Sequence, residues 1–183
     1  MPCRIAPLST KFRPSEDRAR EIPKYNTALI VGAGEGLSAS LARLFAREGI
    51  KVALAARKIE KLGALCTETK ARAFACDATE AEEVERLFGM VEREISTPDI
   101  VVYNASGRAR GAFTDLVPAE VANAIAASAF GGFLVAQQAA QQLIEEGAEI
   151  ILGPLFAHSV APVGQVARAR GIPVVAFSTD YVF

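Results

Sequence analysis

The sequence has few of the residues from which metal sites and disulfide frameworks are built. It contains one histidine, His158, and three cysteines, Cys3, Cys66 and Cys76, that show no metal-ligand spacing. Zinc sites need clustered Cys and His ligands, and a disulfide framework needs an even set of cysteines. We therefore predict no metal site, and reduced thiols in a cytoplasmic protein.

Long hydrophobic runs and an excess of charge of one sign are also missing. We find no apolar run that approaches the roughly 18 residues of a membrane helix. The first 24 residues lack the apolar core of a signal peptide. The formal net charge is −1, so the balance favours neither nucleic acid nor a membrane as a partner. With 51% hydrophobic and 22% charged residues, a packed globular core is expected.

The N-terminal residues differ in composition from the rest of the chain. Residues 1–24 contain four prolines and six basic residues against three acidic ones, without a helix or strand period. We predict that they form a flexible extension. Residues 25–183 are then expected to form a single domain of ordinary size.

Apolar runs alternate with amphipathic stretches throughout that domain. Strands are predicted at 27–31, 52–56, 72–76, 99–103, 149–152 and 173–177. Helical spacing follows the first strand, covers residues 84–95 and 121–143, and is expected near 159–168. Repeated strand–helix–strand units predict right-handed crossovers and a sheet covered on both faces. The fold class is therefore α/β, a doubly wound, Rossmann-like parallel sheet of about six strands.

A glycine-rich turn follows the first predicted strand. Gly32, Gly34 and Gly36 precede Leu37, where the next helix is expected to begin. Glycines let a backbone turn sharply and approach a phosphate, and a helix N-terminus offers unpaired N–H groups to that phosphate. Between a strand and a helix, this turn predicts nucleotide binding rather than a plain connection.

Three motifs in this order resemble the short-chain dehydrogenase/reductase family, over about residues 24–140. They are Gly32-x-x-x-Gly36-x-Ser38, Cys76-Asp77-Ala78 and Tyr103-Asn104-Ala105-Ser106-Gly107. The resemblance implies an oxidoreductase whose nicotinamide dinucleotide contacts these motifs. It also implies a homodimer through the long helix after the fourth strand.

Two of these motifs also have simpler interpretations, and the third departs from the family pattern. Asp77 is an adenine contact by resemblance, or else the N-cap of a helix. Asn104 is a cofactor contact by resemblance, or else closes a turn. Ser38 replaces the family's last glycine, so we expect the following helix to be pushed outwards slightly.

The residues after the second strand indicate which dinucleotide is bound. NAD binding usually needs an acidic residue there, for the ribose 2′-hydroxyl. This chain has Arg57 and Lys58, and no carboxylate until Glu60. Both cations suit a 2′-phosphate, so NADP is predicted, with NAD as the alternative cofactor. Alternatively, both are solvated charges at a helix start.

The family's catalytic pair is missing. Short-chain dehydrogenases use a Tyr whose pKa is lowered by a Lys four residues later. The last lysine here is Lys70, and no tyrosine precedes a lysine by four residues. Ser128 stands where the family has a supporting Asn. Ser159 aligns with the family's catalytic Ser, although it could simply cap a helix. His158 beside it is not placed to act as its base. The resemblance therefore implies a catalytically incomplete oxidoreductase acting on an unknown small molecule.

The C-terminal segment suggests a different class of protein. Residues 142–180 resemble the first lobe of type I periplasmic solute-binding proteins, especially penicillin-binding protein activators. That resemblance implies a non-enzymatic ligand-binding module that uses the loop 153–159. A fusion of the two segments, with a junction near residue 141, is a further alternative. Residues 178–183 also resemble a short motif of nucleotide-sugar reductases.

Overall fold

The computed structural model describes residues 25–146, 151–152 and 174–175. Its core is a parallel sheet of six strands in the order β3-β2-β1-β4-β5-β6. The strands are β1 (Thr27–Val31), β2 (Lys51–Ala56), β3 (Arg72–Ala75), β4 (Ile100–Tyr103), β5 (Ile151–Leu152) and β6 (Val174–Val175). The predicted α/β, Rossmann-like parallel sheet is confirmed.

Helices join the strands and cover both faces of the sheet. The α-helices are α1 (Leu37–Arg47), α2 (Gly63–Thr69), α3 (Ala81–Glu94), α4 (Pro118–Ile125) and α5 (Gly131–Glu146). Short 3₁₀ turns occupy Ile59–Leu62 and Phe113–Asp115, and a π-helical segment occupies Ala126–Phe130. The turn and helix over residues 59–69 were not predicted individually. The helix predicted near 159–168 and the extension 1–24 lie outside the described residues.

The central strand β1 divides the core into two layers. All five of its residues are buried, and successive side chains point to opposite faces. Leu29 and Val31 pack with α3 and α5. Ala28 and Ile30 pack with α1 and α2. A strand covered on both faces must be apolar throughout, which is why "TALIV" shows no polar alternation.

The long helix predicted at 121–143 is interrupted. Its two regular parts, α4 and α5, are separated by the π-helical segment Ala126–Phe130, directly before Gly131. The irregularity lies in the turn before Gly131, where a π-helical bulge admits an extra residue.

This same helical stretch corrects the expectation that no segment is long and apolar enough to cross a membrane. The stretch Pro118–Gln142 spans 25 residues with a mean hydropathy of 1.5, and 28% of its most apolar window is buried. By length and composition alone, this one helix of the described residues could span a bilayer. The sequence interpretation missed it because alanine and glutamine interrupt the bulky apolar residues, while Glu120 is the only charged residue.

Candidate functional site

A crevice opens at the carboxyl ends of the strands, where the strand order reverses between β1 and β4. From β1 the chain continues through β2 and β3 on one side, and β4 pairs on the other side of β1. Open parallel sheets bind ligands at this switch point. The crevice has a volume of about 1000 Å³, at the upper end of ordinary ligand pockets.

Most of the predicted cofactor residues surround this crevice. Those that line it are Gly32, Gly34, Arg57, Asp77, Ala78, Asn104, Ala105 and Ser106. Gly36 and Leu37 do not line it and lie at the start of α1, where Leu37 is exposed. The structure thus brings together residues from the loops after β1, β2, β3 and β4. Ser159, the predicted catalytic residue, lies outside the described residues.

The glycine turn brings two backbone segments into close contact. Gly32 has a φ of +84°, and a Cβ there would overlap the backbone of Ala105. The amides of Gly32 and Ala33 both donate to the Ala55 carbonyl at 2.9 Å, which ties the turn to β2. Gly36 precedes α1 and has no side chain to cap it. The glycine turn thus leads directly into the N-terminus of α1, the end of a helix at which unpaired N–H groups are found.

Asp77 does not cap α3, so that simpler interpretation is wrong. The N-cap of α3 is Glu80. The Asp77 carboxylate instead accepts hydrogen bonds from the amide and hydroxyl of Thr79, at 3.0 and 2.8 Å. These bonds hold the pKa of Asp77 below its ordinary value, and the charge of Arg57 adds to the effect. Asp77 is therefore a fixed negative charge at the β3 end of the crevice.

Ser38 is buried and hydrogen-bonded between the glycine turn and the loop after β4. Its side chain is 1% exposed, and its hydroxyl donates to the Gly32 carbonyl at 3.1 Å. The side-chain amide of Asn104 donates to the same hydroxyl at 2.9 Å. The Asn104 side chain thus contacts the glycine-turn region instead of closing its own turn. Its hydroxyl thus connects the glycine turn to Asn104, while the outward shift of α1 expected from Ser38 stays a prediction.

Tyr103 forms the floor of the crevice beside the π-helical segment. Its hydroxyl donates a hydrogen bond to the Ala127 carbonyl. Burial raises the pKa of Tyr103 above its ordinary value, and the charge of Asp77 adds to the shift. A catalytic tyrosine needs the opposite shift to act as a base near neutral pH. Tyr103 therefore serves here as a packing and hydrogen-bonding residue.

Ser128, at the position of the family's Asn, is also hydrogen-bonded. It lies in the π-helical segment and is 9% exposed. Its hydroxyl accepts a hydrogen bond from the Gly107 amide at 3.0 Å and approaches the Gly107 carbonyl at 3.4 Å. This bond joins the long helix to the loop that follows β4.

Several residues of the crevice were missed at the sequence level. Arg43 of α1 forms an ion pair with Glu68 of α2 at 2.8 Å, and both line the crevice. The hydrogen bond that the Arg43 side chain donates to Glu68 holds the pKa of Glu68 below its ordinary value. Lys61 and Cys76 also line it, and burial raises the pKa of the Cys76 thiol to about 11. The sequence signal for Lys61 was its position three residues after Lys58, whereas nothing in the sequence links Arg43 to Glu68.

Side chains of both charges line the crevice: Arg43, Arg57, Lys58 and Lys61, and Glu35, Glu68 and Asp77. Within the described part of the chain, Arg57 and Lys58 form no ion pair, and Arg57 follows β2 on the side of Asp77. In the same residues, no group of three or more potential metal ligands is found. The chemistry present thus suits an anionic ligand bound by backbone N–H groups and side-chain cations.

A doubly wound sheet with a glycine turn at its switch point defines the class of Rossmann-like dinucleotide-binding domains. Within that class, residues 26–153 match the family model "short chain dehydrogenase", and the chain belongs to this family. The match extends into the segment that resembles solute-binding proteins, and nothing in the described residues shows that second resemblance.

Curated relatives and solved structures support the family and the fold. An uncharacterised oxidoreductase of Caenorhabditis elegans is 30% identical over 74% of this chain and 46% of its own length. One from Staphylococcus aureus is 29% identical over 84% of this chain and 63% of its own length. The chain thus spans about half to two thirds of these relatives.

The similar structures include a short-chain dehydrogenase of Bacillus anthracis. Its TM-score is 0.74 at 21% identity, with 82% of this chain and 74% of that one covered. The actinorhodin polyketide ketoreductase, solved with NADPH, gives a TM-score of 0.67 at 24% identity, with 80% and 62% covered. At such identities, these structures show the fold.

Proposed function

We propose that the crevice binds NADP in preference to NAD, as the dinucleotide site of an oxidoreductase. The observation that carries this proposal is the position of Arg57. It lines the crevice directly after β2, where NAD-binding proteins usually place a carboxylate, and it has no ion-pair partner among the described residues. Lys58 and Lys61 line the same region and add positive charge.

The shape of the crevice also fits a dinucleotide. Gly32 leaves no room for a side chain beside Ala105, so the two loops meet backbone to backbone. Such an approach lets the backbone of the turn reach a pyrophosphate. Asp77 then lies on the adenine side and Asn104 on the other side of the switch point.

Titration of the purified chain with NADPH and NADH tests this proposal. Replacing Arg57 removes a charge-assisted contact worth about 1.5–3 kcal/mol, so Arg57→Ala should weaken NADPH binding roughly ten- to a hundred-fold. NADH affinity should change little. Lys51→Ala is the matched control, because Lys51 is exposed at the opposite end of β2. Equal affinities for NADPH and NADH in the unmodified chain would contradict the proposal.

We propose further that these 183 residues bind the cofactor without ordinary turnover. Bound NADPH would supply a hydride, but a carbonyl substrate also needs a proton donor close to its oxygen. The hydroxyl of Tyr103 is already bonded to the Ala127 carbonyl. No lysine follows Lys70, so this sequence cannot supply the family's tyrosine–lysine pair.

A homodimer through the long helix is the proposed assembly. Ile125, Phe130 and Phe133 are 60%, 49% and 48% exposed. The rings of Phe130 and Phe133 stack with their centroids 6.4 Å apart. A contiguous exposed apolar surface of this kind is typical of an interaction site.

A further inference from the structure

We infer that Ser38 and Ser128 are positioning residues that together hold residues 104–107, here called the β4 loop, against the dinucleotide crevice. This inference rests on the proposed function. It concerns two serines that stand where the family has other residues, and neither of them lines the crevice itself.

Ser38 holds the beginning of the β4 loop. Its hydroxyl accepts a hydrogen bond from the Asn104 side chain and donates one to the Gly32 carbonyl. At 1% exposure, this hydroxyl is shielded from competing water. The Ser38 hydroxyl therefore links the glycine turn to the side chain of Asn104, which lies 66 residues after Ser38 in the sequence.

Ser128 holds the end of the same loop. Its hydroxyl accepts a hydrogen bond from the Gly107 amide. Ser128 is buried and lies in the π-helical segment. A Cβ at Gly107 would lie 2.5 Å from the Ala124 Cα, so the loop backbone also rests directly on the helix. Both ends of the β4 loop are thus attached to different elements through serine hydroxyls.

The residues between these two attachments form a wall of the crevice. Asn104, Ala105 and Ser106 all line it, and the residues of the loop form no helix or strand. The Asn104 amide donates to the Val31 carbonyl at 2.8 Å, which ties the start of the loop to β1, and the residues after it depend more on side chains to fix their position. Releasing either serine contact would let this wall move, although the sheet would remain intact.

The location of the wall determines which half of a dinucleotide it affects. Arg57 and Asp77 follow β2 and β3, and in the proposed function they contact the adenosine half of the cofactor. The β4 loop lies across the switch point and faces the other half of the cofactor. Loss of the serine contacts should therefore weaken binding of the whole dinucleotide more than binding of its adenosine fragment.

The test compares NADPH with 2′,5′-ADP, a fragment limited to the phosphorylated adenosine half. For Ser128→Ala, we expect about a ten-fold rise in the NADPH Kd, the size of one lost hydrogen bond. The 2′,5′-ADP Kd should change less than about two-fold, within ordinary variation between weakly coupled sites. Ser38→Ala should show the same bias, and Ser128→Thr, which keeps the hydroxyl, should restore NADPH binding.

The double variant provides a readout that a general loss of stability would not reproduce. Once one end of the loop is free, the other contact holds it poorly, so Ser38→Ala and Ser128→Ala together should weaken NADPH binding by less than the product of the single effects. Ser96→Ala is the control. Its hydroxyl forms a partly buried hydrogen bond with the Thr27 hydroxyl at 2.6 Å, at the end of β1 opposite the crevice. It should lower the melting temperature without changing the NADPH Kd.

The outcomes separate this inference from the proposed function. Unchanged NADPH binding in both single variants, or an equal loss for NADPH and 2′,5′-ADP, would overturn the positioning role while leaving the dinucleotide site intact. An unmodified chain that binds neither ligand would overturn the proposed function, and the inference with it.

Discussion

At the scale of single residues, the crevice depends on positions where the backbone cannot accept a side chain. Gly32 is the clearest case, because two separate constraints meet there. Its φ of +84° disfavours any residue with a Cβ, and the Cβ would also overlap the Ala105 backbone. Gly34, two residues later, has neither constraint, since nothing lies within 4 Å of its Cβ position.

These two glycines allow a matched comparison. Gly32→Ala should destabilise the fold by about 1–3 kcal/mol, because the β4 loop must move away from the turn. For a chain of this size, such a loss corresponds to a fall of roughly 2–12 °C in the melting temperature. Gly34→Ala should melt close to the unmodified chain. Thermal unfolding followed by circular dichroism distinguishes them, and equal melting temperatures would contradict the close contact.

At the scale of elements, the junction of the π-helical segment with α5 determines how the long helix passes the crevice. The Tyr103 hydroxyl binds the Ala127 carbonyl, and Gly131 lies directly beneath the same tyrosine. A Cβ at Gly131 would overlap that hydroxyl and lie 2.8 Å from the Ala78 carbonyl oxygen. The helix can therefore approach β4 closely only with glycine at this position.

We expect Gly131→Ala to be destabilising despite alanine's better helix propensity. Overpacking against Tyr103 and the Ala78 backbone should cost about 1–3 kcal/mol. Gly89→Ala is the control, because Gly89 is also helical but nothing lies within 4 Å of its Cβ position. It should stabilise α3 by up to about 1 kcal/mol. Urea unfolding of both variants provides the measurement, and a gain in stability at Gly131 would disprove the close packing.

At the scale of the whole molecule, α4, the π-helical segment and α5 carry exposed apolar side chains. We expect a homodimer in solution, because Ile125, Phe130 and Phe133 present apolar surface. Light scattering coupled to size exclusion should give twice the chain mass, and Phe133→Glu should return it to the monomer. Phe113→Glu is the comparison, since Phe113 is 91% exposed but lies before α4. A monomeric unmodified chain, or one that sediments with lipid vesicles, would contradict the dimer.

Hydride transfer from a bound cofactor to a substrate also depends on the whole molecule. We expect NADPH oxidation on aldehydes, ketones and quinones to be at least about 10²–10⁴-fold below that of ordinary reductases, the usual contribution of general acid catalysis. Gly36→Asp, which places a negative charge at the start of α1, serves as the binding-deficient control. Turnover near the typical value of about 10 s⁻¹ that this variant abolishes would reveal an unrecognised proton donor.

The sequence by itself determined the strands of the sheet and the glycine turn. The predicted strands at 27–31, 52–56 and 72–76 correspond to β1, β2 and β3 within one residue at each end. A buried strand can be predicted from a short apolar run of about five or six residues, and a tight turn from single glycines.

Only the tertiary structure decided what the polar side chains of the site contact. Ser38 was noted only as a replacement for a glycine, and it hydrogen-bonds to Asn104, which follows a different strand. Ser128 was identified only by its alignment with an Asn, and its bond to Gly107 depends on the π-helical segment. Such partners are brought together by crossovers through the sheet. The sequence therefore contains no periodicity or spacing that would reveal that these residues lie close together.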